Sequence, residues 1–243
     1  MDKRLKEIID NFDRLKIGVD DKFHFHCTMC GKCCINREDI LLNPKDLYNI
    51  SKELGLKPID TIKQYCETYI GNDSRVPIVR LKPKGSIKRC PFLKNRQCSV
   101  HKVKPTVCAM YPIGRAITCT EGEGDEPKLP MEEVNYLFMH PGCGDDSEIH
   151  TVREWLDDFD IPSEDEYFMK WQSNLAEFSE FIRGFEKKKK QAQNSLGTVW
   201  NIIFVCAYCN YEIEKEFMPQ FDRNMEDLQK ILEPFGFKRR QSE

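Results

Sequence analysis

Cys27-Thr28-Met29-Cys30-Gly31-Lys32-Cys33-Cys34 places four thiols within eight residues, in the arrangement C-x2-C-x2-C-C. Cys90, Cys98 and Cys108 follow, then Cys143, in a chain of 243 residues with 12 cysteines. Thiols this dense read as metal ligands rather than core residues. A C-x2-C pair lets two sulfurs reach one centre from a tight loop. Zinc uses such pairs in tetrahedral sites, at Zn–S distances of about 2.3 Å. Iron–sulfur clusters use C-x2-C-x2-C with a remote fourth cysteine. Cys27, Cys30 and Cys33 fit the second pattern, with Cys90, Cys98, Cys108 or Cys143 as the remote ligand. Neighbouring side chains in an extended segment point to opposite sides. Cys33 and Cys34 are therefore expected to serve two centres, or different atoms of one polynuclear centre. Eight thiolates exceed what one zinc ion accepts. The alternatives are two mononuclear sites, one or two iron–sulfur clusters, or one cluster with spare thiols.

Lys32, Lys88, Arg89, Lys102 and Lys104 are interleaved with the candidate ligands and could offset thiolate charge. The plainer reading is that each is a surface cation. His24 and His26 precede the cluster and fall on one face if that segment is extended. A polar surface is the preferred reading for them. Cys66 belongs with the core, Cys119 is a spare donor, and Cys206 with Cys209 forms a separate C-x2-C that suits a ligand pair or simple burial.

Composition bounds the remaining possibilities. Apolar residues make up 40 % of the chain, the net charge is −3, and the pI is about 6.0. General nucleic-acid binding leans on a strong positive field and is not expected. The charged start Met1-Asp2-Lys3-Arg4 is followed by no apolar signal region. No apolar run approaches the roughly 20 residues of a membrane span. The expectation is a cytoplasmic protein with reduced thiols, which favours metal over disulfides. Glu121-Gly122-Glu123-Gly124 superficially resembles a nucleotide-binding glycine loop. Pro127 and Pro130 follow it where such a loop needs a helix, so that reading is rejected.

Hydrophobic periodicity predicts an α+β protein: a small cysteine-rich core with short strands, wrapped by helices, and a mainly helical C-terminal half. Residues 1–150 form the expected metal-binding domain, and residues 151–243 a helical region packed on it. An amphipathic helix is predicted over 1–16, and a loop over Lys22–Cys34. Asn43 caps a helix running from Pro44 to about Leu54, with Gly55 as its stop. A second helix is read from Pro58 to Ile70. A hairpin pairs Val76–Leu81 with Ser86–Phe92, and Pro105 opens a helical turn bearing Cys108. Strands are expected at Gly114–Cys119 and Val134–His140, with Thr120–Pro130 as a surface loop. Thr151 and Glu154 make a capping box. Ser163 opens a long aromatic helix that ends near Lys187–Lys190. Residues 198–217 divide between strand and buried helix, and Glu226 to about Pro234 forms a last helix.

The second cysteine group reads Cys90-Pro-Phe-Leu, Cys98-Ser-Val-His101 and Pro105-Thr-Val-Cys108-Ala-Met-Tyr-Pro112, then Pro141-Gly-Cys143-Gly144. Together with C-x2-C-x2-C-C it resembles the YkgJ-type cysteine-cluster family, a zinc- or iron-chelating domain. The likeness runs from about Cys27 to Cys143. It implies metal ligation by Cys27, Cys30, Cys33, Cys34, Cys90, Cys98, Cys108 and Cys143. His101 stands where the family often has Tyr, and Lys104 where it often has Arg. His101 is taken as a packed substitute rather than a ligand. A similar block occurs in flagellin lysine methylases, but no methyl-donor site is visible in this sequence. The expected cofactor is an iron–sulfur cluster, 4Fe–4S in type, with redox or protein-modification chemistry on an unidentified protein partner or substrate. The alternative is a zinc-stabilised protein-binding module.

Overall fold

Asn43-Pro44-Lys45-Asp46 specifies a helix start through local chemistry. Pro44 has no N–H to lose and a φ already suited to a first helical turn. The Asn43 side chain accepts from the Asp46 amide at 2.8 Å, and the Asp46 carboxylate accepts from the Asn43 amide at 3.2 Å. This closes a capping box. Gly55 ends the helix with φ +63°. The computed structural model describes residues 3–36, 40–118, 133–187 and 195–238.

The chain opens with α1 (Lys3–Asp10), α2 (Phe12–Leu15), β1 (Lys16–Ile17) and β2 (Lys22–His26). Then come β3 (Leu41–Leu42), α3 (Pro44–Leu54), α4 (Pro58–Tyr65), β4 (Cys66–Ile70), β5 (Pro77–Leu81), β6 (Leu93–Lys94), β7 (Gln97–Cys98) and α5 (Thr106–Met110). Next are β8 (Ile113–Thr118), β9 (Glu133–Phe138), β10 (Asp145–Thr151) and α6 (Val152–Asp157). The C-terminal half is helical: α7 (Glu166–Glu186), α8 (Leu196–Phe204) and α9 (Phe217–Leu232). The fold is thus mixed α+β with small antiparallel sheets, in the orders β1-β9-β8, β3-β5-β4, β10-β2 and β6-β7.

Several expected elements change character. The N-terminal helix breaks at Asn11 into α1 and α2, and Ile9, assigned to its apolar face, is 54% exposed. Lys22–His26 is a strand rather than loop, paired with β10. The helix over 58–70 stops at Tyr65, and Cys66–Ile70 becomes β4, matched residue for residue with β5 from Cys66↔Leu81 to Ile70↔Pro77. Thr68, Tyr69 and Ile70 suit a pleated surface, and a distant strand supplies the pairing. β5 is therefore central, between β3 and β4. The expected hairpin with 86–92 is reduced to a single bridge, Lys84↔Arg89. Asp165, not Ser163, caps α7. Residues 198–217 contain α8, then a π turn at Val205–Cys209, and α9 begins at Phe217, well before Glu226. Cys119 and the segment Thr120–Pro130 lie outside the described residues.

Two apolar clusters form. The larger joins α3, α4, β4 and β5 to α7, α8 and α9. In α7, Tyr167, Trp171, Phe178, Ile182 and Phe185 recur at helical spacing and are buried there. Each such side chain contributes roughly 1.5–3 kcal/mol on full burial. The smaller cluster gathers Phe23, Phe25, Met110, Ile113, Tyr136, Trp155 and Leu156 from β2, α5, β8, β9 and α6.

Asp46 links these parts. Its Oδ1 accepts from the Thr106 amide at 2.9 Å and the Thr106 hydroxyl at 2.6 Å. Burial pushes its carboxyl up, and the hydrogen bonds from Thr106 and Asn43 oppose this. Tyr167 of α7 donates to Asn43 Oδ1 at 3.0 Å and accepts from the Lys45 amide at 3.0 Å. The starts of α3, α5 and α7 therefore meet at one buried polar knot. Asp46→Ala removes the cap and the tether together and should lower unfolding free energy by about 2–4 kcal/mol in urea titration, against about 1 kcal/mol for Thr106→Ala. Equal, small losses for both variants would remove the knot as an organising contact.

Candidate metal centre

The cysteine loop leaves β2 and is folded by two residues in left-handed conformation, Met29 (φ +49°) and Gly31 (φ +72°). Gly31 opens a single 3-10 turn, Lys32–Cys34. This turn corrects the expectation for the vicinal pair. Cys33 and Cys34 do not point apart: their sulfurs lie 3.9 Å from each other and both face one cavity. Helical backbone rotates neighbouring side chains far less than the half-turn of a strand.

The second group is brought alongside by backbone pairing. The Cys90 amide donates to the Cys34 carbonyl at 2.8 Å, and the Asn36 amide to the Ile87 carbonyl at 3.1 Å. β6 and β7 form a two-residue hairpin whose turn, Asn95-Arg96, has φ +49° and +65°. Both signs suit a type I′ turn, and the hairpin delivers Cys98. α5, held by Asp46, delivers Cys108.

Six of the eight expected ligands, Cys27, Cys33, Cys34, Cys90, Cys98 and Cys108, line a single cavity of about 290 Å³. Leu81, Phe92 and Val100 of the larger apolar cluster and Tyr111, packed on the smaller one, complete parts of its wall. The cavity thus sits where the two clusters meet. Cys30 and Cys143 lie outside its lining, but the Cys143 thiol feels the charges of Cys33, Cys30 and Cys27. Its sulfur is 3.7 Å from the Tyr111 hydroxyl. Among the described residues every cysteine is a free thiol, and no three His, Cys, Asp or Glu side chains converge closely enough to enclose a single ion.

Backbone amides are aimed at the sulfurs. Cys30 accepts from the Lys32 amide, which lowers its pKa most; burial opposes, and the Gly144 amide, the Thr28 hydroxyl and the Lys32 charge add to the lowering. Gly144 has no substitute here. Its φ is +75°, and a Cβ would stand 2.4 Å from the His26 carbonyl oxygen and 2.6 Å from Phe25. Burial raises Cys90 and Cys98, opposed by the amides of Phe92 and Leu93 in the first and of Val100 in the second. Cys30, Cys90 and Cys98 therefore each receive the amide two residues ahead. Cys34 is raised, first by its hydrogen bond with Cys33, then by burial and by the charges of Cys33, Cys90 and Cys108. Burial raises Cys143, with the Tyr111 hydroxyl opposing.

Lys104 lines the cavity, as does Arg96, and Lys104 is the cation coupled to several of its thiols. Burial lowers its pKa, and the charges of Cys108, Cys27, Cys98 and Cys33 oppose that fall. Its ammonium sits 3.9 Å over the Phe159 ring. No carboxylate lines the cavity among the described residues. Soft thiolates without hard oxygen donors suit zinc, copper(I) or iron–sulfur centres rather than magnesium or calcium. The donor set therefore fits a thiophilic metal.

The other expected residues are placed elsewhere. His101 lines the cavity mouth but is exposed, with its ring 6.1 Å from Phe159, so it is not the packed substitute expected. His26 pairs with Glu148 at 2.7 Å, which raises its pKa, and His24 meets the Asp146 carbonyl at 3.3 Å. Both imidazoles are engaged by β10. Cys66 is buried, as expected, but at the start of a strand, and burial pushes it up to about 12. Cys206 and Cys209 are half-buried in the π turn, apart from the cavity, and burial pushes Cys209 up to about 11. Asp46 had no place in the sequence reading, and Tyr111 and Gly144 entered it only within the quoted cysteine blocks, with no role of their own. The Asn43-x-x-Asp46 spacing marks Asp46 as a cap, and nothing local announces its second partner.

Residues 26–134 match the CxxCxxCC family, whose description is "Putative zinc- or iron-chelating domain". This segment carries the family's domain. The match covers somewhat under half of the chain. It agrees with the likeness read from the cysteine blocks through Cys108, leaves the block at Cys143 outside the matched residues, and points to metal binding, zinc or iron. An uncharacterized protein of Methanocaldococcus jannaschii, MJ0661, is 31% identical over 90 residues, which is 36% of this chain and 44% of the relative. The chain spans less than half the length of that curated relative. No solved structure matches. Among the described residues no helix is long and apolar enough to cross a membrane.

The amide donors order the thiols by reactivity. In metal-free, reduced protein, peptide mapping after brief iodoacetamide treatment at neutral pH should find Cys30 alkylated well before Cys34 and Cys66, since the thiolate is the nucleophile. Labelling of Cys34 ahead of Cys30 would contradict the arrangement.

Proposed function

We propose that this protein holds an iron–sulfur cluster, 4Fe–4S in type, between the C-x2-C-x2-C-C loop and the cysteines at 90, 98 and 108, and uses it in redox or protein-modifying chemistry. One observation carries the reading. Six thiols wall one cavity of about 290 Å³, more donors than the four a single zinc ion takes. A mononuclear zinc site needs four donors at about 2.3 Å from one ion. A polynuclear centre instead places its ligands around a volume; Cys33 and Cys34, 3.9 Å apart, have the spacing of two thiolates on one tetrahedral ion and would share one metal atom of such a centre.

The chain's own residues supply the rest. Amides aimed at Cys30, Cys90 and Cys98 stabilise their thiolates, and Lys104 balances the accumulated negative charge. Hydrogen bonds to sulfur, net charge and exposure are the levers by which a protein sets a cluster's potential. Cys27 is exposed, which leaves one edge of the site within reach of a partner. Cys143 feels the charges of Cys33, Cys30 and Cys27, so Cys30 and Cys143 stand near the cavity sulfurs and suit a second centre or a reserve of ligands.

Anaerobically purified protein should be brown, absorb broadly in the visible, bleach on reduction, and contain iron and acid-labile sulfide. Mössbauer and EPR spectroscopy would assign the nuclearity. Cys33→Ser should abolish the chromophore while Cys66→Ser leaves it intact. A colourless, fully folded protein with stoichiometric zinc and no iron would replace this reading with the zinc-stabilised module.

A further inference from the structure

Between Ser74 and Thr120 the sequence holds eleven Lys and Arg and no Asp or Glu, although the chain as a whole carries 40 acidic residues and a net charge of −3. This stretch contributes three of the cavity's six cysteines. Arg75 pairs with Glu186, Arg80 with Glu67, and Arg115 with Asp165, while Lys84 stands 5.7 Å over the Tyr65 ring. Lys82, Lys84, Lys88, Arg89, Lys94, Arg96 and Lys102 are all exposed. All but Lys82 stand on segments that contribute to the cavity wall: the 84–90 turn beside Cys34, the β6–β7 hairpin, and the turn at His101–Val103.

Compensation of the sulfurs does not account for this ring. The cation most closely coupled to the thiols is Lys104, which is largely buried. Exposed side chains are screened by water and salt and act weakly on a buried charge. Apolar groups are exposed among them. Met29 (57%) and Val107 (41%) line the cavity mouth, and Ile87 (52%) lies beside the Cys33–Asn36 turn, bonded to it through its carbonyl. An apolar centre with a charged rim is the anatomy of a protein-docking face. Single-stranded nucleic acid asks instead for exposed aromatic platforms. Phe92 here is buried and Tyr111 is partly buried.

We propose that this basic, Met29-centred face is the docking surface for an acidic protein partner, which it steers to the mouth of the thiol cavity. As the site at which a partner would meet the metal centre, it rests on the reading given under Proposed function; as a docking face, it does not.

Full-length protein, prepared anaerobically, is titrated by fluorescence anisotropy with three labelled probes of equal net charge: a peptide alternating Glu and Leu, polyglutamate, and oligo(dT). The Glu/Leu peptide should bind most tightly, and its affinity should fall with salt. The pair Lys94→Glu and Lys102→Glu should weaken it about tenfold or more with the visible spectrum unchanged. Ile87→Ser should weaken the Glu/Leu peptide while leaving polyglutamate unaffected. Tighter binding of oligo(dT), self-association through this face in sedimentation, or no peptide binding would each overturn the proposal. If the protein holds zinc but the peptide behaves as stated, the cluster reading fails and the docking face stands. Iron with no peptide binding is the converse.

Discussion

The Asp46 carboxylate receives hydrogen bonds from Asn43 at its own helix start and from Thr106, 60 residues further along the chain. A buried carboxylate is tolerable only when its lone pairs are filled. The cost of taking it from water is offset here by three donors at once. That requirement makes the contact directional: α5 must begin where Asp46 can reach its first amide. Since α5 carries Cys108, and Tyr167 of α7 grips the same knot through Asn43, one polar contact places a cavity sulfur relative to the helical half of the molecule. Apolar packing alone would leave that register looser, because it is non-directional.

The cavity wall reflects two opposing demands. Burial raises Cys34, Cys90, Cys98 and Cys143 and favours the protonated thiol. Metal ligation needs the thiolate, so binding must release protons. Amides two residues beyond Cys30, Cys90 and Cys98, together with the Lys104 ammonium, reduce that cost without a carboxylate competing for the metal. The glycine at position 144 belongs to the same design, since only a residue without Cβ can bring its N–H to Cys30 between His26 and Phe25. Lying between the two apolar clusters, the sulfurs are presented by segments that each cluster anchors separately.

Much of this was legible in local sequence. The caps at Asn43 and Thr151, the helical turn after Pro105, the two strands flanking the Thr120–Pro130 segment and the aromatic stripe of α7 all follow from chemistry within a few residues. Misreadings arose where a distant partner intervened. Cys66–Ile70 has a plausible apolar helical face, yet β5 offers it a five-residue ladder. Ser86–Phe92 resembles a hairpin arm, yet β5 is already paired on both edges. The vicinal cysteines were assigned to opposite sides on the assumption of extended backbone, and a single 3-10 turn places their sulfurs together.

The order of residues alone settled which donors exist, how they are spaced, and the match of residues 26–134 to the CxxCxxCC family model, because ligand type and loop spacing are properties of the covalent chain. Folding in three dimensions settled which sulfurs share a cavity, which cation stands beside them, and that Cys66, Cys206 and Cys209 stand apart. Those outcomes depend on Asp46 meeting Thr106, on Cys90 pairing with Cys34, and on two apolar clusters closing against each other. Each is a contact between residues far apart in the chain, and a local pattern carries no record of its distant partner.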